Sequence, residues 1–228
     1  MAALVAEGHD VFALCVDHRL QDGSRAQAER AAEQARKLGA RARVLSVEAG
    51  GAGPESMEAA ARVARYRALA AACADEGLEV AVAHTADDQA ETLLLGALRG
   101  RVTGMSERSE VEGARVVRPL LGVRRADTEG ACAELGLSAW QDPQNMDRNF
   151  RRVALRREVI PQLSRIIGGD AVPALAQAAS DAAFDDAALR TPPTTDCAEL
   201  AAMAEPRRRR AIAAWLVGEG VEVTRKGE

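Results

Sequence analysis

Lysine is nearly absent from this chain: Lys37 and Lys226 are its only two, and arginine carries almost all of the positive charge. With so much alanine beside it, that usage reads first as genome composition rather than function. Cysteine is also sparse, and Cys15, Cys73, Cys132 and Cys197 lie far apart with no Cys-x-x-Cys pair. The histidines His9, His18 and His84 are equally scattered. Neither a zinc site nor a cysteine-ligated iron–sulfur cluster is signalled. No apolar stretch is long enough to cross a bilayer, and no secretory-type hydrophobic segment follows a basic start. These absences predict a cytoplasmic protein without a membrane partner. A net charge of −4 leaves no global basic field for nucleic acid, although local arginine clusters can still meet phosphate.

What is present is enough apolar residue, 47% of 228 positions, for one substantial core and a small second unit. Val11 to Val16 is a continuous apolar run ending at Asp17-His18, as expected of a strand covered on both faces. Ser24 to Leu38 follows with helical periodicity, and Gly39 suits a left-handed C-terminal cap. Arg43 to Val47 predicts a second strand, Glu55 to Glu76 a long helix, and Leu78 to Ala83 a third strand leading into a helix from Asp88. Strands alternating with helices argue an α/β protein with a doubly wound parallel sheet.

Beyond Gly100, the polar stretch Met105 to Gly113 reads as a loop, and Pro119 ends any strand at Val116-Val117. Arg124 to Leu135 and Val153 to Leu163 predict helices, and everything after Asp170 is helical in pattern apart from a break at Thr191-Pro192-Pro193-Thr194. The resulting division is an α/β domain over 1–165 and a C-terminal helical segment over 166–228. No signal for an oligomeric state is found.

The densest chemistry is at His84-Thr85-Ala86-Asp87-Asp88-Gln89-Ala90-Glu91-Thr92, between a strand and a helix. Ligands of open α/β sheets gather at such strand ends. Asp88 and Glu91, three apart, share a helical face and can hold one cationic group or a magnesium ion. The same spacing is that of a helix-capping box, and the residues alone leave both readings open. The loop Gly50 to Pro54 lacks the Lys-Ser/Thr ending of a Walker A motif and reads as a flexible connection. Arg62 and Arg65 share a helical face, as a solvated stripe or as partners for phosphate. Arginines also cluster at Arg118, Arg124 and Arg125, at Arg148 to Arg157, and at Arg207 to Arg210, where solvated surface is the ordinary explanation and phosphate contact the functional one.

In order, Val16-Asp17-His18-x-Leu20, Met57-Glu58-Ala59-Ala60-Ala61-Arg62-x-x-Arg65-Tyr66, Ala83-His84-x-x-Asp87-Asp88-Gln89-Ala90-Glu91-Thr92, Arg118-Pro119-Leu120-Leu121 and Asp142-Pro143-x-Asn145-x-Asp147 resemble the motifs of the tRNA(Ile)-lysidine synthases, PP-loop ATP pyrophosphatases with an adenine nucleotide alpha hydrolase-like fold. The resemblance covers residues 10 to 165. It implies an ATP-dependent carbon–nitrogen ligase that joins L-lysine to C2 of the wobble cytidine in an isoleucine tRNA with a CAU anticodon, through an adenylated intermediate, with ATP and Mg2+.

Carried onto matching positions, the resemblance implies catalytic roles for His84, Asp88 and Arg65, and lysine binding by Asp88, Glu91 and Arg156. It implies nucleotide binding by Asp17, His18 and Arg62, tRNA contacts by Arg148, Arg151, Arg152 and Arg157, and Asp87 as a candidate magnesium ligand. This chain departs from the pattern in three places. It contains no Ser-Gly-Gly-x-Asp-Ser loop, it has His84-Thr85 where His-His is common, and Arg152-Val153 where Arg-Asn is common. The missing loop predicts an N-terminally truncated chain that lacks the first strand and has little adenylation activity, since the backbone amides that stabilise departing pyrophosphate would be gone. The competing expectations are a non-catalytic tRNA-binding remnant and another PP-loop enzyme such as a thiolase.

Overall fold

The computed structural model describes residues 1–19, 23–48, 54–74, 76–140 and 150–221. Its contacts gather into two compact units, one formed by Met1–His84 with Glu107–Val153 and the other by Thr85–Ser106 with Ala154–Glu228. These packing units interleave along the chain, whereas the division at 165 follows chain order.

In the first unit, a short helix α1 (Ala2–Ala6) precedes β1 (Phe12–Asp17), α2 (Ser24–Lys37) and β2 (Arg41–Ser46). β1 and β2 pair in parallel from Phe12↔Arg41 to Asp17↔Ser46. Alternation sends Leu14, Val16 and Leu45 to one face, where they pack on the buried Tyr66 and Leu69 of α3 (Pro54–Cys73). α2 packs on the same two strands, burying Ala28, Ala32 and Ala35 at helical spacing. Helices on both faces account for the unbroken apolar character of β1. Gly39, at φ +92°, turns the chain from α2 into β2 in a conformation that a side chain would strain.

β3 (Val80–Ala81) runs parallel to β5 (Ala114–Val117), while β4 (Arg108–Val111) runs antiparallel to β5. Val80, Ala114 and Val116 join Tyr66, Leu69 and Cys73 in one buried cluster. The hairpin of β4 and β5 replaces part of the loop expected at Met105 to Gly113. Its turn, Glu112-Gly113, has φ +49° and +80°. Two consecutive positive φ values match the twist of a tight hairpin, but glutamate is a weak sequence signal for them. The strand stays polar because every second residue of β4 is exposed. β5 stops before Pro119, as expected. α5 (Arg125–Glu134) completes the described elements of this unit before α6 (Arg151–Ala154).

The second unit holds α4 (Ala86–Ala97), a π-helical turn (Leu155–Val159), α7 (Ile160–Ile167), α8 (Val172–Ala188), α9 (Cys197–Ala202) and α10 (Glu205–Gly218). The π turn continues α6 and runs into Pro161 at the start of α7. Proline cannot donate to the helical ladder and crowds the preceding turn, which explains the local widening. α8 buries Val172, Ala176, Ala179 and Ala183, a stripe of mostly small side chains that packs on α4, where Ala86 and Ala90 are buried. The alanine bias thus has a structural use: it lets the helices approach closely. A Cβ on Gly104 would lie 1.8 Å from the Ala179 carbonyl oxygen, so that position must stay glycine. The break at Thr191 to Thr194 is a loop between α8 and α9. Among the described residues, no helix is long and apolar enough to cross a membrane.

Candidate functional site

In the first unit, β1 ends by turning at Asp17, which is almost fully buried. Its Oδ1 accepts hydrogen bonds from the Arg19 backbone N–H at 3.0 Å and the Ser24 hydroxyl at 2.7 Å. The Ser24 hydrogen bond, against the opposing effect of burial and with help from Arg19, holds the Asp17 carboxyl below the usual carboxylate range. Its carboxylate is therefore engaged in shaping the strand-to-helix turn. The neighbouring His18 is half-buried, and its Nδ1, shielded from solvent, makes no hydrogen bond among the described residues. Burial lowers the His18 pKa first, and the Arg65 guanidinium lowers it further against the opposing charge of Asp17. The imidazole is thus neutral near pH 7, beside a cation.

α3 supplies that cation. Arg62 and Arg65 place their guanidinium carbons 4.9 and 5.6 Å from the centroid of the Tyr66 ring, with Arg62 exposed and Arg65 half-buried. Arg118, just past β5, is 4% exposed and donates to the Ser109 hydroxyl at 2.9 Å. Burial lowers its pKa, Tyr66 opposes that, and Arg62 adds to it. The first unit therefore places His18 within electrostatic reach of Arg65, and sets Arg62 over Tyr66 and within electrostatic reach of Arg118. Tyr66 was quoted in the sequence only as part of a motif. Its role as a buried ring under two guanidinium groups follows from α3 spacing and could not be read without the packing.

His84 is half-buried after β3 and immediately precedes Thr85. In the second unit, Thr85 is the N-cap of α4, and Asp88 closes the capping box. Asp88 Oδ2 accepts from both the Thr85 N–H and the Thr85 hydroxyl at 2.8 Å. Of the two readings left open for Asp88-x-x-Glu91, the capping box lies one turn earlier, at Thr85-x-x-Asp88. Glu91, freed from capping, is 1% exposed, and its two oxygens accept from Arg156 Nε at 2.7 Å and Nη2 at 3.3 Å. Burial acts to lower the Arg156 pKa, but the hydrogen bond and charge of Glu91, with the charges of Asp88 and Asp87, outweigh it and raise the pKa. Three carboxylates from one stretch of α4 thus act on a single guanidinium.

Gln89, between these carboxylates, is completely buried and turned elsewhere. Its Nε2 donates to the Met105 carbonyl and its Oε1 accepts from the Met105 N–H, both at 2.8 Å. One amide side chain therefore satisfies both backbone polar groups of Met105, in the segment after α4. Of the arginines assigned to tRNA, Arg151 and Arg157 are exposed and Arg152 is half-buried, while Arg148 lies outside the described residues. Arg209 and Arg210 are paired with Glu205 and Asp186, each at 2.9 Å. The Asp142 to Asp147 motif and the Gly50 to Gly53 loop also lie outside the described residues.

Comparison with known proteins agrees with the motif order. A family model described as a PP-loop domain matches residues 1–163. The tRNA(Ile)-lysidine synthase of Corynebacterium glutamicum is 49% identical, over 98% of this chain and 72% of its own length. That of Corynebacterium diphtheriae is 52% identical over 98% and 73%, and that of Nocardia farcinica 47% identical over 97% and 72%. Among solved structures, the U34-tRNA thiolase NcsA from Methanococcus maripaludis with its 4Fe-4S cluster superimposes with a TM-score of 0.56 at 13% identity, covering 74% of this chain and 60% of that one. At that identity the likeness concerns the fold alone. The ordered motifs, the parallel pairing of β1 with β2 and of β3 with β5, and relatives of about half-identical sequence place this chain in the tRNA(Ile)-lysidine synthase family of PP-loop proteins.

Proposed function

We propose that this chain is an ATP-dependent carbon–nitrogen ligase that joins L-lysine to C2 of the wobble cytidine of an isoleucine tRNA bearing a CAU anticodon, and that it works in the cytoplasm. The observation that carries the lysine assignment is the gathering of Asp87, Asp88 and Glu91 on the first turns of α4, all within electrostatic reach of Arg156. Carboxylates gathered in this way suit a cation, and a lysine ammonium has the right charge and compactness.

In this reading, ATP adenylates the cytosine C2 oxygen with release of pyrophosphate. The lysine ε-amine then attacks C2, and the C2–oxygen bond breaks as AMP leaves. Asp88 and Glu91 hold the lysine with Arg156 alongside, so that the amine is presented to the ring rather than left to diffuse. Neutral His18, with Arg65 and Arg62, serves the nucleotide, and Asp17 holds the turn that carries His18. His84 and Arg65 act on the phosphates. Arg148, Arg151, Arg152 and Arg157 serve the tRNA. The segment 1–165 carries the nucleotide chemistry and 166–228 the helical remainder.

Among the described residues, no group of three or more His, Cys, Asp or Glu side chains could hold a metal ion by itself. Magnesium bound chiefly by phosphates and water needs only one or two carboxylates, and Asp87 is the residue we assign to it. Bound there, the ion would neutralise phosphate charge. The test is to incubate the chain with ATP, Mg2+, L-lysine and a CAU-anticodon isoleucine tRNA, measuring AMP release and digesting the tRNA for nucleoside mass spectrometry. Lysidine formed with stoichiometric AMP is the expected result, at a rate far below that of a relative carrying the Ser-Gly-Gly-x-Asp-Ser loop, because this chain lacks the backbone amides that stabilise departing pyrophosphate. Binding of tRNA without nucleotide consumption would replace the ligase with a non-catalytic tRNA-binding protein, and sulfur incorporation would replace it with a thiolase.

A further inference from the structure

Trp140 stands out in a chain that holds only two tryptophans, one tyrosine and three phenylalanines. It is 48% exposed. Together with Ser138 and Ala139 it forms one wall of a groove whose other wall is Gln27, Arg30 and Gln34 of α2. These three residues are spaced i, i+3, i+7 and so lie on one stripe of the helix. Gln34 Nε2 donates to the Ser138 carbonyl at 3.2 Å, tying the two walls together.

The charges beside this stripe are sorted. Glu29 is engaged by Arg25 at 3.1 Å and Glu33 by Lys37 at 3.0 Å, each four residues apart. Arg30 donates Nε and Nη2 to the Gln27 side-chain oxygen, at 3.1 and 2.8 Å. That oxygen is neutral, and no carboxylate among the described residues forms an ion pair with Arg30. The groove thus offers a half-exposed indole, amide side chains and one cation.

We infer that this groove is a docking site for an unpaired nucleobase of an RNA and its phosphate. Indole faces stack on bases of any identity. Glutamine amides match the donor and acceptor edges of bases, and guanidinium suits a phosphate oxygen. An apolar peptide would not account for the polar wall, and an acidic partner would not account for the open ring. The inference rests on the reading of this chain as a tRNA-modifying enzyme, and gives the tRNA a second hold outside the residues assigned to the reaction.

The experiment titrates the full chain carrying Trp215→Phe with a CAU-anticodon isoleucine tRNA at several salt concentrations, following Trp140 emission and the dissociation constant together. Saturating tRNA is expected to quench Trp140. Trp140→Ala is expected to weaken binding about tenfold, with Trp140→Phe close to the unaltered protein because a ring is retained. Arg30→Gln should flatten the slope of log affinity against log salt by about 0.7 to 0.9, the amount for one phosphate contact. Unquenched Trp140 at saturation, or unchanged affinity in Trp140→Ala while the unaltered chain still forms lysidine, overturns the groove and leaves the ligase standing. No tRNA binding by the unaltered chain at any salt concentration overturns both.

Discussion

Arg156 grips both carboxylate oxygens of Glu91, through Nε at 2.7 Å and Nη2 at 3.3 Å, although 65 residues separate them in sequence. Glu91 is 1% exposed on α4, while the Arg156 side chain, on the π-helical turn, is 33% exposed. Burial takes the acid out of water, and the two hydrogen bonds from the guanidinium replace part of the hydration it loses. A π turn is a frequent feature of functional positions, and here it carries the cation of the pair.

Breaking the pair from one side should cost more than removing it whole. Arg156→Met removes both hydrogen bonds that the buried Glu91 accepts from it, and is expected to destabilise the fold by about 3 kcal/mol, the lower end of the range for a broken buried pair because Arg156 retains some contact with water. The double variant Glu91→Leu/Arg156→Met should recover much of that loss. Denaturant unfolding of these two variants, of Glu91→Leu alone and of the unaltered protein reads the cycle, and equal losses in single and double variants would show no coupling between Glu91 and Arg156.

Asp88 and Thr85 share one capping box but are assigned different chemistry, so substitution separates the two roles. Thr85→Ala and Asp88→Ala should each cost about 1 kcal/mol of stability, the usual value of an N-cap. Only Asp88→Ala should also raise the KM for lysine, by tenfold or more, on the order expected for losing one charged contact of about 1.4 kcal/mol or greater. Equal lysine KM values in the two variants would leave Asp88 with the cap alone.

His18 should titrate below its ordinary value of about 6.5. Because burial is the larger cause and Arg65 the second, Arg65→Gln is expected to move the midpoint up only part of the way. The sign for stability follows: the folded protein resists a proton that the unfolded chain accepts, so this contribution is present above about pH 6.5 and fades as the pH falls toward the folded value. Asp17 acts likewise at lower pH, its contribution being complete above about 4 and lost as the pH falls through its depressed folded value. Proton NMR titration of the imidazoles reads His18, and carbon NMR titration of the carboxyl groups, with Ser24→Ala as the control, reads Asp17. A His18 midpoint at or above 6.5 would contradict the burial argument.

Gln89 is expected to be as sensitive as any apolar core residue, despite being polar. Gln89→Leu keeps the bulk but strands the Met105 N–H and carbonyl, at a cost of about 1 to 3 kcal/mol for each group left unsatisfied. Hydrogen exchange at Met105 should accelerate in this variant. If its protection were unchanged, the clamp would not be what orders the segment.

Gly104→Ala should be poorly tolerated because its new methyl meets backbone rather than a flexible side chain. Overpacking of this kind costs about 1 to 3 kcal/mol or more. A thermal melt of the variant matching the unaltered protein would mean that α8 can yield at Ala179.

The amino-acid sequence by itself determined the α/β class, the alternation of β1, α2, β2 and α3, and the position of the acidic cluster, because these rest on local periodicity and on short runs of residues. Val11 to Val16 reads as a buried strand from its apolar continuity, and β1 occupies Phe12–Asp17. Only tertiary structure decided what each acid in the cluster does. Asp88 turns back to Thr85 because the helix starts there, and Glu91 faces inward to an arginine 65 residues away. Gln89, adjacent to Asp88 in sequence, leaves that face and clamps Met105. The polar strand β4 escaped notice because its partner, not its own composition, makes it a strand. Periodicity reports which side of an element is buried, but the identity of the group it is buried against is set by packing between segments that the sequence keeps far apart.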